Sequence, residues 1–253
     1  MIAALLGAAT AACSSRPVTA TPRPATPAPN RPPPELALPK RSDRALSGSA
    51  FVEKCSHLRA IERESAIVDE LLAGNVAPFL RRLAFVPLGD DGASTGVWVT
   101  SDYLAIGDDD DFVRIPMIKL SADRVASAAG CMLPTKKLVD TIYGAATCKL
   151  TSPPHGGSPE MASTRLYAAH NREIEERRGA AGCKTGDLLA GPKKDLVMSQ
   201  RELGDPGHVV IYGWFMADGR AIQPLSLIHS DKYVDFSHGV RLVHDEMLVR
   251  GEP

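Results

Sequence analysis

The chain has 253 residues, 44% of them hydrophobic and 23% charged, with a formal net charge of −1, which is the arithmetic of a globular protein. Its charge is uneven: residues 1–46 carry six basic side chains against two acidic ones, and residues 47–253 carry 23 against 28. A mildly acidic folded part argues against a nucleic-acid partner, which needs a clustered basic face, and no apolar run beyond the N-terminus reaches the roughly 18 to 20 residues of a membrane-crossing helix.

Residues 2–12 (IAALLGAATAA) are small and apolar and stop at Cys13. This resembles a bacterial lipoprotein-type N-terminus, so residues 1–13 are expected to be a signal-peptide or processing region and Cys13 the point of lipid attachment. Nine of the 20 prolines fall between Cys13 and Lys40, and such a tract favours polyproline II at about 3.1 Å per residue. Residues 14–46 are therefore expected to be a disordered linker, and residues 47–253 a globular domain. The resemblance places the protein in the bacterial cell envelope, facing the periplasm or the surface, lipid-anchored, or secreted if Cys13 is not acylated. The other cysteines, Cys55, Cys131, Cys148 and Cys183, would then sit in an oxidising compartment. Two disulfides, or one disulfide and two buried thiols, are expected, with three connectivities open.

From Ser49 to Gly74 apolar residues recur at three- and four-residue intervals, which predicts an amphipathic helix ended by Gly74, with a shorter helix over 76–82. LAFVPL, GVWVTSDYLAI and FVRIPM are β-rich runs separated by turn signals. The four aspartates 108–111 lack the alternating ligand spacing of a calcium loop and read as a solvated turn. Helices are predicted over 122–129, over 136–146 with Thr135 as N-cap, and over 163–178. The remainder is strand-like: KDLVMS, HVVIYGWF, AIQPLSLI, GVRLV and EMLVRG. Helices mainly in the first half and a largely antiparallel sheet in the second predict an α+β fold.

Six of the seven histidines lie after residue 150. The run Asp235-Phe236-Ser237-His238-Gly239-Val240-Arg241 is the densest chemistry in the chain. With His238 as general acid or base, Asp235 or Asp231 could orient its ring, while Arg241 held a substrate carboxylate. The same residues suit a tight turn in which Asp235 and Ser237 cap the backbone. Ser237, His229 and His170 are further catalytic candidates, and Lys193, Lys194 and Tyr233 candidate substrate-binding residues. His170 equally suits the apolar face of its helix. No cofactor is expected from motif spacing. Zinc is the alternative, through His170, His229 and His238 with Asp195 as carboxylate ligand, although no HExxH or HxH spacing is present.

Ser237-His238-Gly239 followed by Arg241 and Leu242 resembles the SHGC(V/I)R signature of L,D-transpeptidases, envelope enzymes acting on peptidoglycan. Val240 stands where that family carries its nucleophilic cysteine, so the mechanism is not carried over. His208-Val-Val-Ile-Tyr through Gln223 resembles the HVGIY strand pair of NlpC/P60 cysteine peptidases, with Cys131 near the helix that would bear the nucleophile and Gln223 in place of the catalytic histidine. Together these features lead to an expected envelope hydrolase acting on a peptide or amide bond, with peptidoglycan as the most plausible substrate. The alternatives are a non-enzymatic envelope protein binding cell wall or a protein partner, and a Cys131-dependent peptidase.

Overall fold

Ser47 opens the first helix, α1 (Gly48–Cys55), by accepting a hydrogen bond from the Ala50 amide, and Asp111 takes both the amide and the hydroxyl of Ser49, at 2.9 and 2.5 Å. In the computed structural model, residues 32–89, 94–151, 157, 159–250 and 252 are described. Cys13, the apolar leader and the proline tract up to residue 31 lie outside them. The helix expected over 49–74 is two helices, because the Ser56 hydroxyl donates to the Glu53 carbonyl at 2.8 Å and ends the first. The second, α2 (Ala60–Leu72), begins where Glu62 accepts the Arg59 amide. A 3₁₀ turn, Pro78–Arg81, follows.

The run GVWVTSDYLAI also divides. Strand β1 (Ala84–Pro87) pairs antiparallel with β2 (Gly96–Val99), but the chain then turns through Thr100–Leu104 before β3 (Ala105–Gly107) pairs with β4 (Phe112–Arg114). The four aspartates close that hairpin and cap other elements: Asp108 accepts the Asp110 and Asp111 amides, and Asp109 the Phe79 amide. Gly107, at φ +127°, approaches the Asp111 carbonyl so closely that an added Cβ would lie 2.1 Å from it, which explains a glycine there.

Helix α3 (Lys119–Ala128), β5 (Cys131–Met132) and α4 (Lys136–Ala145) follow, the last capped by Thr135 as its sequence predicts. Then come β6 (Cys148–Lys149), α5 (Thr164–Ala180), β7 (Leu189–Ala190), β8 (Lys194–Leu196), the short helix α6 (Arg201–Gly204), β9 (His208–Phe215), β10 (Ala221–Ser230), β11 (His238–Gly239) and β12 (Val243–Leu248). One four-stranded sheet has the order β1-β2-β12-β5 and the other β10-β9-β8-β11. All pairs in both are antiparallel except β8 with β11. The fold is α+β, with four of the longer helices ahead of residue 146 and the two longest strands after it.

The main core runs from Leu36 to Leu248. Leu36 and Leu38 are buried in it, and the Ala37 amide donates to the Ala129 carbonyl at 3.0 Å. Packing therefore begins ahead of residue 47, within the segment assigned to the linker, because these two leucines supply apolar side chains that the proline-rich stretch before them lacks. Cys148 and Cys183 form a disulfide, tying the end of α5 to β6, while Cys55 and Cys131 are buried thiols. No helix among the described residues is long and apolar enough to cross a membrane.

Candidate functional site

The parallel pairing of β8 with β11 sets His238 opposite Lys194 and Gly239 opposite Asp195, so the two chemistry-bearing runs of the sequence become neighbours. Because side chains alternate along a strand, Lys194 and His238 share one face of this pair and Asp195 points to the other. Gly239 is required by close approach: a Cβ there would meet the Tyr103 ring at 2.5 Å and the Lys193 Cβ at 3.0 Å.

The turn before β11 is held tightly. Asp235 Oδ1 accepts the Ser237 amide at 2.7 Å and its hydroxyl at 2.5 Å, and Oδ2 accepts the Tyr233 hydroxyl at 2.8 Å. Burial raises the Asp235 carboxyl, but the nearby His238 and these hydrogen bonds outweigh it and hold it below the usual range. Lys193 Nζ donates to the Phe236 carbonyl at 2.7 Å and lies 3.4 Å from His170 Nδ1, and the Lys194 amide donates to the Ser237 carbonyl at 2.7 Å. The His170 ring meets Phe236 edge to face. Capping turn and polar cluster are thus the same structure.

His238 sits at the centre, fully buried, and neither of its ring nitrogens has a hydrogen-bond partner among the described residues. Asp235 and Asp231 therefore do not orient the ring as the sequence suggested, since Asp235 spends its oxygens on Ser237 and Tyr233. Burial lowers the imidazole to about 4, with Asp235 opposing and the two lysines assisting, which leaves it neutral at physiological pH. Tyr233 packs its ring against His238 at 5.6 Å between centroids and stacks on the half-buried His229 at 4.0 Å. Beside them Lys194 Nζ lies 4.8 Å above the Trp214 ring. Trp214 has φ +59°, a left-handed conformation that is uncommon for a bulky residue and gathers at functional sites. Its amide is held by the Lys193 carbonyl at 3.1 Å.

The opposite face is differently furnished. Arg241 is not open to a substrate carboxylate: it is buried, donates to the Thr100 and Leu189 carbonyls at 2.7 and 2.6 Å, and stacks on Tyr103. Asp195 accepts from the Tyr103 hydroxyl at 3.3 Å and has Arg241 Nε at 3.8 Å, and burial pushes it up to about 7. Arg114 grips Asp102 through two donors at 2.9 and 2.5 Å, Asn171 at 2.9 Å and Glu175 at 2.8 Å. Tyr103, Asp102, Arg114 and Trp214 are the residues that sequence reasoning missed, because each lies in or beside an apolar run.

Neither cysteine chemistry nor the zinc set assembles. Cys131 is buried in β5, five residues ahead of α4, and burial pushes its thiol up to about 12, leaving no thiolate to attack. Among the described residues no group of three or more His, Cys, Asp or Glu side chains is placed to hold a metal ion, so His170, His229, His238 and Asp195 do not form a donor set. A shallow surface concavity of about 610 Å³ on α1 and α2 contains none of the clustered residues. No protein-family model, curated protein or solved structure matches the chain. The chemistry of the cluster is accordingly argued from its own geometry.

Proposed function

We propose that the protein is a cell-envelope hydrolase of peptide or amide bonds, lipid-anchored through Cys13 and acting on cell-wall material, with His238 as its general acid and base. The observation that carries this reading is the fully buried, neutral His238 imidazole, neither nitrogen of which has a hydrogen-bond partner among the described residues. A buried polar group without a partner costs about 1–3 kcal/mol, and such groups concentrate where chemistry needs them. Ser237 Oγ is engaged by Asp235, so water serves as nucleophile. As its oxygen bonds to the amide carbon, a water proton passes to an imidazole nitrogen. The imidazolium then returns that proton to the leaving nitrogen as the C–N bond breaks, giving a carboxylic acid and an amine, and the acid's proton passes on to the amine to leave a carboxylate and an ammonium. An imidazolium with a pKa near 4 is a strong proton donor for the second step, its neutral form is a weak base for the first, and the Asp235 carboxylate favours the charged ring. Tyr233 packs against the ring, and His229 stacks on Tyr233.

The test is release of new amino groups from purified peptidoglycan by the full-length protein and by its His238→Asn variant. Loss of release by about 10²–10⁴-fold in the variant is expected. Equal release by both would overturn the assignment, and wall binding without release by either would leave a wall-binding protein.

A further inference from the structure

Lys194 differs from every other buried cation of the cluster. Arg241 and Arg114 spend their donors on carbonyls, carboxylates and an amide oxygen, and Lys193 is bonded to the Phe236 carbonyl. Lys194 is only 9% exposed, yet among the described residues its ammonium has no hydrogen-bond acceptor and no carboxylate within 4 Å, only the face of Trp214. It shares a sheet face and a register position with His238. Trp214, whose indole it touches, is held in its left-handed conformation by the Lys193 carbonyl.

We infer that Lys194 is the specificity-determining cation of the site and binds a carboxylate of the substrate beside the bond that His238 cleaves, with Trp214 as the wall of that subsite. This rests on the hydrolase reading and names its substrate class: peptides with a free carboxylate next to the scissile amide. A single ammonium with three unused donors matches a monoanion. A phosphate dianion would bring two negative charges towards the Asp235 carboxylate, and among the described residues the other buried cations of the cluster are already hydrogen-bonded.

The chain has two tryptophans, and Trp98 is buried in the main core, so a ligand-dependent change in intrinsic fluorescence, absent from a Trp214→Phe control, reports on the Trp214 wall. N-acetyl-dialanine, its C-terminal carboxamide and inorganic phosphate are titrated into the full-length protein and into the Lys194→Met and Lys194→Arg variants. The acid is expected to bind at least tenfold more tightly than the carboxamide or phosphate. Lys194→Met is expected to erase that preference and Lys194→Arg to keep it in part. Equal binding of acid and carboxamide, binding of neither, or preferred binding of phosphate would each overturn the inference. Turnover of the same two peptides is followed separately: preferential binding of the acid without cleavage leaves the carboxylate subsite standing and removes the hydrolase reading, whereas cleavage of both at equal rates does the reverse.

Discussion

Two groups of buried polar residues meet at β8 and differ in how fully their hydrogen-bonding capacity is used. On the Asp195 face, Arg114 is shared among Asp102, Asn171 and Glu175, and Arg241 is met by two backbone carbonyls. On the Lys194 face, the His238 nitrogens and the Lys194 ammonium have no acceptor or donor among the described residues. A saturated network in a low-dielectric interior stabilises and specifies the fold, whereas unused donors and acceptors beside it cost stability and wait for a ligand. Strand alternation places the two sets within one residue of each other, so a face on which both arginines are engaged, although Asp195 Oδ1 has no hydrogen bond among the described residues, lies directly behind His238 and Lys194.

Substitutions on the two faces should separate stability from activity. His238→Asn is expected to lower the cleavage rate by about 10²–10⁴-fold while leaving the urea midpoint unchanged or raised. Arg114→Leu should do the opposite, costing about 3–5 kcal/mol in urea unfolding, because Asp102 and Glu175 lose a buried partner. Its rate per folded molecule should stay close to that of the parent. If Arg114→Leu left stability intact, the assignment of that face as the structural one would fail.

The disulfide backs the saturated face, since Cys148 packs with Tyr103, Ile174 and Leu189. Removing it by Cys148→Ala with Cys183→Ala should cost about 4 kcal/mol for a loop with a sequence separation of 35 residues. The check is the urea midpoint of the double variant, with that of Cys131→Ala, at a thiol that plays no part in the chemistry, as the control for activity.

The two faces also titrate in opposite senses. Burial raises Asp195 to about 7, so in the folded chain it holds a proton that the unfolded chain releases near pH 4. Its contribution to stability is full below pH 4 and is lost as pH rises towards 7. Burial lowers His238 to about 4, so between pH 4 and about 6.5 the unfolded chain binds a proton that the folded chain does not. The His238 contribution therefore grows as pH rises through that window, and the two offset each other. Unfolding measured at pH steps should show stability rising from pH 4 to 6.5 in Asp195→Asn and falling from pH 4 to 7 in His238→Asn. Matching slopes in the two variants would show that the faces are not opposed.

Local patterns made much of this legible. Thr135 capped its helix where its position before an apolar run said it would, the helix expected over 163–178 formed with Ser163 as its cap, and HVVIYGWF formed one strand over its full length. Lys193-Lys194-Asp195 and Asp235-Phe236-Ser237-His238 stood out by composition. Their pairing did not, because a parallel contact between segments about forty residues apart leaves no periodicity in either. Arg241 read as a substrate clamp because a guanidinium after a strand looks exposed until the carbonyls of Thr100 and Leu189 are found around it. The break after Cys55 was hidden because apolar spacing continues across it, and only the Ser56 hydroxyl marks the stop. Trp214 passed as one more apolar strand residue, since a left-handed backbone at a tryptophan has no sequence signature.

The most direct test of the account is the titration of His238 itself, followed through its imidazole resonances by NMR, with His238→Asn used to assign them. A ring that stays neutral down to about pH 4 is the predicted result. Protonation near the ordinary histidine value of about 6.5 would contradict it, since an imidazole charged so readily is not desolvated and so is not the buried, partnerless ring on which the account rests.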